Sequence, residues 1–291
     1  WTEKGDGLAT LRGVEDKAYE DKLYSLVAFK IVPDEPAPVK VVYDPAKDEA
    51  FPKDMTISAN RTPFWMADLS AVVFGISELK KKKDAAKDTG AEGKPEEAKS
   101  EVKPEAKPKA ESAKPAAPKP EDESEKPDLV VWHWKDDRLQ SMQQVQERSD
   151  RNFSFLCVYR PSEEKFLRLA DESLRRVSVA PEHRYAMGAD VREYERMGNL
   201  DGRRFQDVYV VDLKTGERRL ALKKARWVMG PSPDGTHFLY YNDGAFYTYD
   251  MASGRSYNIT AKAPAVFWDT EADYNVTKPP TRVIGWSKDA S

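Results

Sequence analysis

Hydrophobic and polar positions are most regularly ordered between residues 227 and 260, WVMGPSPDGTHFLYYNDGAFYTYDMASGRSYNIT. Pro233-Asp234-Gly235 reads as a tight turn, with Pro fixing φ and Gly free to make it positive. HFLYY follows as an apolar and aromatic strand, and Asn242-Asp243-Gly244 turns the chain again. In AFYTYDM, alternation puts Phe246, Thr248 and Asp250 on one face and Tyr247, Tyr249 and Met251 on the other. Ser253-Gly254 makes a third turn into SYNIT. Short strands joined at this pitch predict one antiparallel sheet, sized like a blade of a β-propeller.

Weaker copies of the same pattern lie on both sides. VSVAPEHRYAMG (177–188) carries Pro181-Glu182-His183 where the template has Pro233-Asp234-Gly235. DVYVVDLKTGERRLAL (207–222) is a strand, a turn and a strand, matching FYTYDMASGRSYNIT. In PFWMADLSAVVFGI, Met66-Ala67-Asp68 takes the turn position without the turn glycine, and GWSKDAS at the end of the chain repeats the opening. Glu182, Asp234 and Asp289 recur at about 50 residues, a blade-like period. SFLCVYR (154–160) and KFLRLA (165–170) predict a hairpin across Pro161–Glu164. Residues 1–60 are less regular. KLYSLVAFKIV and VKVVYD are strand candidates, although AYEDKLYSL also fits a short helix. The expectation is an all-β chain, a partial β-propeller of roughly four to five blades, in segments 1–79 and 128–291.

Between those segments the pattern disappears. Residues 80–127 hold equal numbers of lysines and carboxylates beyond Lys80, repeated prolines and no aromatic residue. Such a stretch cannot bury enough apolar surface to offset its ordering entropy, so it is predicted to be a disordered charged insertion. It reads as a tether or docking tail, or as a tolerated loop, since long loops add little closure entropy. DLVVWHW (128–134) resembles DVYVVDL, which places the insertion between two strands of one blade. RLQSMQQVQERSDRNF (138–153) fits a helix or a long irregular loop.

Charge and composition narrow the function. The net charge of −3 supplies no broad basic field for nucleic acid. No apolar run approaches the length of a membrane helix. Cys157 is the one cysteine, so no internal disulfide forms. No signal peptide is visible. The chain starts without Met and stops in what reads as a repeat turn, so a fragment of a longer protein is expected.

The search for chemistry returns little. A serine hydrolase needs a strained elbow, commonly Gly-x-Ser-x-Gly. Gly230-Pro231-Ser232-Pro233-Asp234 begins like one but ends in Asp, inside the blade turn. Cys157 sits in an apolar strand and reads as a structural thiol. His133, His183 and His237 are widely spaced and form no metal motif. No phosphate loop is present, and no metal or other cofactor is expected. Two constellations remain. Trp132 and Trp134 share one strand face, either as an aromatic platform or as blade packing. REYERMGNLDGRRFQ (192–206) reads as a charged loop, with Arg192, Glu193, Glu195, Asn199, Asp201, Arg203 and Arg204. That loop either orients peptide termini by charge-assisted hydrogen bonds or satisfies its own charges.

PSPDGTHFLYY, GWSKDAS and DVYVVDLKTGE resemble the propeller repeats of TolB-like proteins. The longer runs DLVVWHWKDDRLQSMQQVQERSDRNF, NLDGRRFQDVYVVDLKTGE and KPPTRVIGWSKDAS resemble bacterial prolyl oligopeptidase family proteins. The resemblance covers residues 128–291 well and 1–79 weakly. It implies a propeller that precedes an α/β-hydrolase domain with a Ser-Asp-His triad, acting on peptide substrates in the periplasm or outside the cell. No position in this chain matches the triad. Glu193 and Glu195 only loosely echo the paired glutamates with which some members hold a substrate's amino terminus. The resemblance gives the propeller the role of gating or orienting peptides for a hydrolase domain outside this chain. The alternatives are a non-enzymatic TolB-like propeller for protein partners and, using Trp132 and Trp134, a ligand-binding propeller.

Overall fold

The computed structural model describes residues 1–31, 36–82, 133, 135–180, 182–273 and 276–287. The insertion beyond Lys82, the strand expected at 128–134 with Trp132 and Trp134, and the anchor Asp289 lie outside the described residues. Residues 1–82 and 134–291 form one compact unit.

Four antiparallel sheets follow one another along that unit, each built mainly by pairing strands in chain order. The first contains β1 (Gly7–Val14), β2 (Leu23–Lys30) and β3 (Val39–Tyr43). The second contains β4 (Met55–Ile57), β6 (Val72–Glu78), β7 (Phe155–Arg160) and β8 (Lys165–Arg168), with β5 (Phe64–Trp65) also on β6. The third runs β9 (Arg176–Ser178), β10 (Tyr185–Asp190), β11 (Gln206–Asp212) and β12 (Arg218–Ala225). The fourth runs β13 (Trp227–Pro231), β14 (His237–Asn242), β15 (Ala245–Asp250) and β16 (Ser256–Asn258). Two helices interrupt the series: α1 (Gln140–Arg151) between β6 and β7, and α2 (Arg192–Asp201) between β10 and β11.

Strand periodicity explains why successive sheets stack. On β11, Val211 joins the cluster containing Leu26, Phe74 and Val158 from the first two sheets. Val208 and Val210 instead pack with Phe238, Tyr249 and Met251 of the fourth. Side chains that differ by an odd number of positions leave opposite faces of a strand, so β11 serves two interfaces at once. The same division recurs on β14. Phe238 turns towards the third sheet, while Leu239 and Tyr241 turn towards Phe267, Trp268 and Trp286. Sheets that are apolar on both faces and packed in chain order make a partial β-propeller, with four blades among the described residues.

The turns repeat as well. In the fourth blade Gly235 N–H donates to the Ser232 carbonyl at 2.9 Å, and Asp234 Oδ1 accepts from Thr236 N–H at 3.2 Å. In the second, Leu69 N–H donates to the Met66 carbonyl at 2.9 Å, and Asp68 Oδ1 accepts from Ser70 N–H at 2.9 Å. In the third, His183 N–H donates to the Ala180 carbonyl at 3.1 Å. Leu69 has φ +55°, so the degenerate copy keeps the left-handed turn without its glycine.

The strand expected in KLYSLVAFKIV forms, and two other elements differ from the sequence reading. AYEDKLYSL is not helical, because Leu23–Lys30 pairs with β1 over its full length. β1 itself, which sequence reading did not single out, opens the first blade. Residues 192–201 are helix rather than loop, since Tyr194 and Gly198 give the segment one face buried at helical spacing. β6 pairs with β7 from Val72↔Tyr159 to Ile76↔Phe155, so the stretch 79–154 joins two strands of one blade, while the strand expected at 128–134 lies outside the described residues.

Polar clasps join blade to blade. Arg218 of β12 pairs with Asp171 at 2.8 Å and donates to the Leu169 carbonyl at 2.9 Å, both in the connection after β8. The next residue, Arg219, leaves the opposite face and donates to the Met251 carbonyl at 2.5 Å. Burial alone would raise the Asp171 pKa. Hydrogen bonds from Ser173, the Leu174 N–H and Arg218 outweigh it and lower the value from 3.8 to about 2. A depressed folded-state pKa stabilises the fold at pH above the unfolded value, and that contribution is lost as pH falls towards the folded one. The shift corresponds to about 2 kcal/mol before solvent screening reduces it. Acid unfolding followed by tryptophan fluorescence should therefore show stability falling between about pH 4 and pH 2, with a shallower fall in Asp171→Asn. Identical acid slopes for the two proteins would exclude this linkage.

Candidate functional site: a charged groove at the helical end of the third blade

α2 grows out of β10 and returns to β11, so its first and last residues sit at one end of the third blade. Its side chains divide by helical position. Tyr194 and Gly198, four apart, face the sheet. Tyr194 is buried and its hydroxyl donates to Asp207 at 2.7 Å, so burial and this bond together raise its pKa. Gly198 lets the returning chain pass close, since a Cβ there would lie 3.1 Å from the Arg203 carbonyl oxygen. Glu195 and Asn199, also four apart, face the segment leading into α1. Asn199 donates to the Asp137 carbonyl at 2.9 Å, and Arg138 Nε donates to Glu195 at 3.0 Å. Arg138 also reaches Asp150 of α1 at 2.6 Å, so one guanidinium ties the two helices together. The α2 C-terminus closes at Gly202, whose φ of +74° and N–H bond to the Gly198 carbonyl end the helix.

The structure gives the residues singled out from sequence unequal freedom. Arg192 is fully engaged: it binds Asp190 through Nε at 2.9 Å and Nη2 at 2.8 Å, and donates to the Glu172 and Ser173 carbonyls at 3.1 and 2.6 Å. Its hydrogen bond to Asp190 lowers that carboxylate's pKa. Arg203 binds Asp201 at 2.8 Å. Glu193 and Arg204 are exposed. Glu193 and Glu195 lie two positions apart on a helix and so leave different faces. With Glu195 neutralised by Arg138, they form no carboxylate pair aimed at one point.

Between α1, the start of β9 and the start of α2 lies a groove of about 960 Å³. Lys135, Gln143, Gln146, Arg175, Arg176 and Asp190 are among its lining residues. It borders a second cavity of about 470 Å³, and the two share Asp150, Phe153, Arg175 and Arg192. Arg175 lies over the Phe153 ring, 4.4 Å from its centre, in cation–π geometry. Among the described residues Arg176 makes no ion pair and is exposed. The groove thus has walls fixed by internal ion pairs and a doublet of accessible guanidinium groups, suited to a carboxylate beside polar amides. Arg138, Arg175 and Arg176 were not singled out from sequence. The available signal was the Arg-Arg doublet directly before the VSVAPEH repeat.

The candidate nucleophiles are structural. Ser232 is 1% exposed, donates to Asp234 at 2.5 Å and accepts from the His237 N–H at 3.0 Å, which makes it the pin of the blade turn. Cys157 is fully buried, and burial pushes its thiol up to about 12, far from a reactive thiolate. No group of three or more His, Cys, Asp or Glu among the described residues is placed to hold a metal ion. No described helix is long and apolar enough to cross a membrane.

No family model matches the chain. No curated protein matches it either. Among solved structures it is similar to the crystal structure of TolB from Acinetobacter baumannii, with 13% identity and a TM-score of 0.28. That alignment covers 89% of this chain and 42% of the TolB chain.

Proposed function

We propose that this chain is a non-catalytic recognition propeller that binds polypeptide, and that it is the propeller segment of a prolyl oligopeptidase-like serine peptidase. In that role it gates or orients peptides for an α/β-hydrolase domain outside these residues, in the periplasm or outside the cell. The groove at the helical end of the third blade carries the binding part of this reading: its walls are tied together by Arg138 and Asn199, and Arg175 and Arg176 offer charge-assisted hydrogen bonds to a peptide carboxylate. The peptidase part is supported by the resemblance of residues 128–291. Ser232, the one serine in an elbow-like context, is locked in a turn and takes no catalytic role.

The test uses the purified chain and short fluorescent peptides with either a free carboxylate or an amide at the C-terminus. Anisotropy should show tighter binding of the free carboxylate, and Arg176→Glu should weaken it about tenfold. No chromogenic peptide should be cleaved. Equal binding of both peptides to native protein and variant would remove the groove from the reading. Cleavage abolished by a serine-directed reagent would overturn the non-catalytic role.

A second reading, a propeller for folded protein partners, is favoured by Met197 and Leu200. These adjacent apolar side chains of α2 remain 60% and 64% exposed. It expects loss of a protein partner, rather than of short peptides, in Met197→Asp with Leu200→Asp.

A further inference from the structure

The chain beyond α2 builds a second charged surface, separate from the lining of the groove. Arg203 and Arg204 lead into Phe205, one residue before β11. Across the sheet, Gln206 pairs with Ala225 and Val208 with Leu222, so Lys223 and Lys224 together face Asp207 alone. This is a β-bulge, a device that re-aims side chains at the end of a sheet. Lys224 adopts φ +53°, a conformation a lysine takes only when its surroundings impose it. Asp207 imposes it: its Oδ1 accepts the Lys224 N–H at 2.8 Å and the Tyr194 hydroxyl at 2.7 Å. The result brings two cations to one aromatic ring. Lys224 Nζ lies 5.3 Å and Arg226 Cζ 6.0 Å from the centre of Phe205.

Arg203 and Arg204 precede Phe205 in the chain, and Arg226 also lies 4.6 Å from the centre of the Trp227 ring. Arg203 is held by Asp201. Arg226 stands close enough to help lower the Asp201 pKa, after the Arg203 N–H and side-chain bonds to that carboxylate. Among the described residues Arg204, Lys224 and Arg226 make no ion pair. Arg204 and Lys224 are exposed, Arg226 is half-buried, and the backbone is strained at Lys224.

We infer that this Phe205-centred patch is a docking surface for an acidic segment of a polypeptide, with Arg204, Lys224 and Arg226 as its contacts. Carboxylates match guanidinium forks one by one, and the interspersed Asp201 and Asp207 suit separated single charges. A single-stranded nucleic acid fits less well, because it needs an aromatic face free for base stacking and Phe205 already carries two cations. The surface requires neither a hydrolase domain nor the Arg175–Arg176 groove.

The test measures anisotropy of a labelled peptide of about ten alternating Glu and Ser residues against the purified chain, at low and raised salt. The native chain should bind it with an affinity that falls as salt rises. With the peptide amidated at its C-terminus, Arg204→Glu with Arg226→Glu should lose about tenfold, whereas Lys40→Glu, exposed in the first blade, should lose nothing. Lys224→Gly separates binding from folding. Glycine relaxes the left-handed position, so the melting temperature should hold or rise while peptide affinity falls several-fold. Equal affinity in the native chain and these variants would overturn the proposal. So would absence of binding, or displacement of the peptide by a labelled thymidine oligonucleotide of equal charge.

Discussion

Gly235→Ala is expected to destabilise the protein by about 2–5 kcal/mol, because one methyl group meets two separate obstacles. The first is the backbone. Gly235 sits at φ +65° in the turn between β13 and β14 of the fourth blade, and an L-residue costs about 1–2 kcal/mol there. The second is His183, the equivalent residue in the turn of the third blade. A Cβ on Gly235 would overlap His183 Cγ and lie 2.7 Å from its Cβ. His183 is 7% exposed and cannot swing into solvent without opening the junction between the two blades. Overpacking of that kind adds about 1–3 kcal/mol. Two further variants separate the contributions. Gly5 has φ +72° with nothing within 4 Å of a Cβ, so Gly5→Ala should cost only the backbone part, about 1–2 kcal/mol. In a cycle with His183→Gly, the Gly235→Ala penalty should shrink towards the same value. Urea denaturation of the four proteins measures this. An undiminished penalty in the His183→Gly background would mean that the two blade turns do not press on each other.

His183 and Gly235 also show what the sequence could and could not convey. Their equivalence was legible, because Pro-x-x turns followed by apolar strands recur at a fixed period. So was the strand content of 154–170, 207–222 and 227–258, where alternation is strong and turn residues punctuate it. Their contact was not legible, since a period fixes correspondence between repeats but not which side chains of neighbouring repeats touch. β1 does not stand out in the sequence, because GLATLRGV alternates weakly and sits among glycines and charges. α2 reads as a loop in the sequence because Gly198-Asn199 and Asp201-Gly202 look like turn pairs. The first lies within the helix and the second only ends it, while the buried spacing of Tyr194 and Gly198 decides the matter.

The same reasons govern the sites. Arg192, Glu193, Glu195, Arg203 and Arg204 were found as a density of charge, which sequence shows well. Their division of labour needed coordinates. Arg192 and Glu195 spend their charge on Asp190 and Arg138, whereas Arg204 stays exposed beside Phe205, whose ring Lys224 and Arg226 approach from about twenty residues later in the chain. Only the β11–β12 register brings those residues together, and the bulge at Lys224 leaves no mark in the sequence that a reader would take for strain.

Phe74→Ala tests the packing on which both surfaces depend, with an expected cost of about 3–5 kcal/mol. Phe74 has no exposed surface and pairs with Cys157 inside the second blade. Its ring lies 6.0 Å from Tyr43 of the first blade and 6.2 Å from Phe166 of β8, and Tyr43 in turn stacks on Tyr159 at 4.2 Å. Removing the ring opens a cavity at the point where the first two blades meet, and aromatic neighbours fixed by mutual contact collapse into it poorly. The fully buried Phe238, which packs between the third and fourth blades, provides the comparison. If the blades unfold as one cooperative unit, Phe74→Ala and Phe238→Ala should each move the whole urea transition to a lower midpoint with an unchanged slope. Val42→Ala, at a side chain 53% exposed on an edge strand, should move it by no more than about 0.5 kcal/mol. A transition that splits in Phe74→Ala, with Trp227 in the fourth blade reporting native surroundings while the first two blades unfold, would show that stability is local to neighbouring pairs. In that case the groove, whose walls come from α1 of the second blade and α2 of the third, should lose peptide binding in Phe74→Ala before the Phe205 patch loses its acidic ligand.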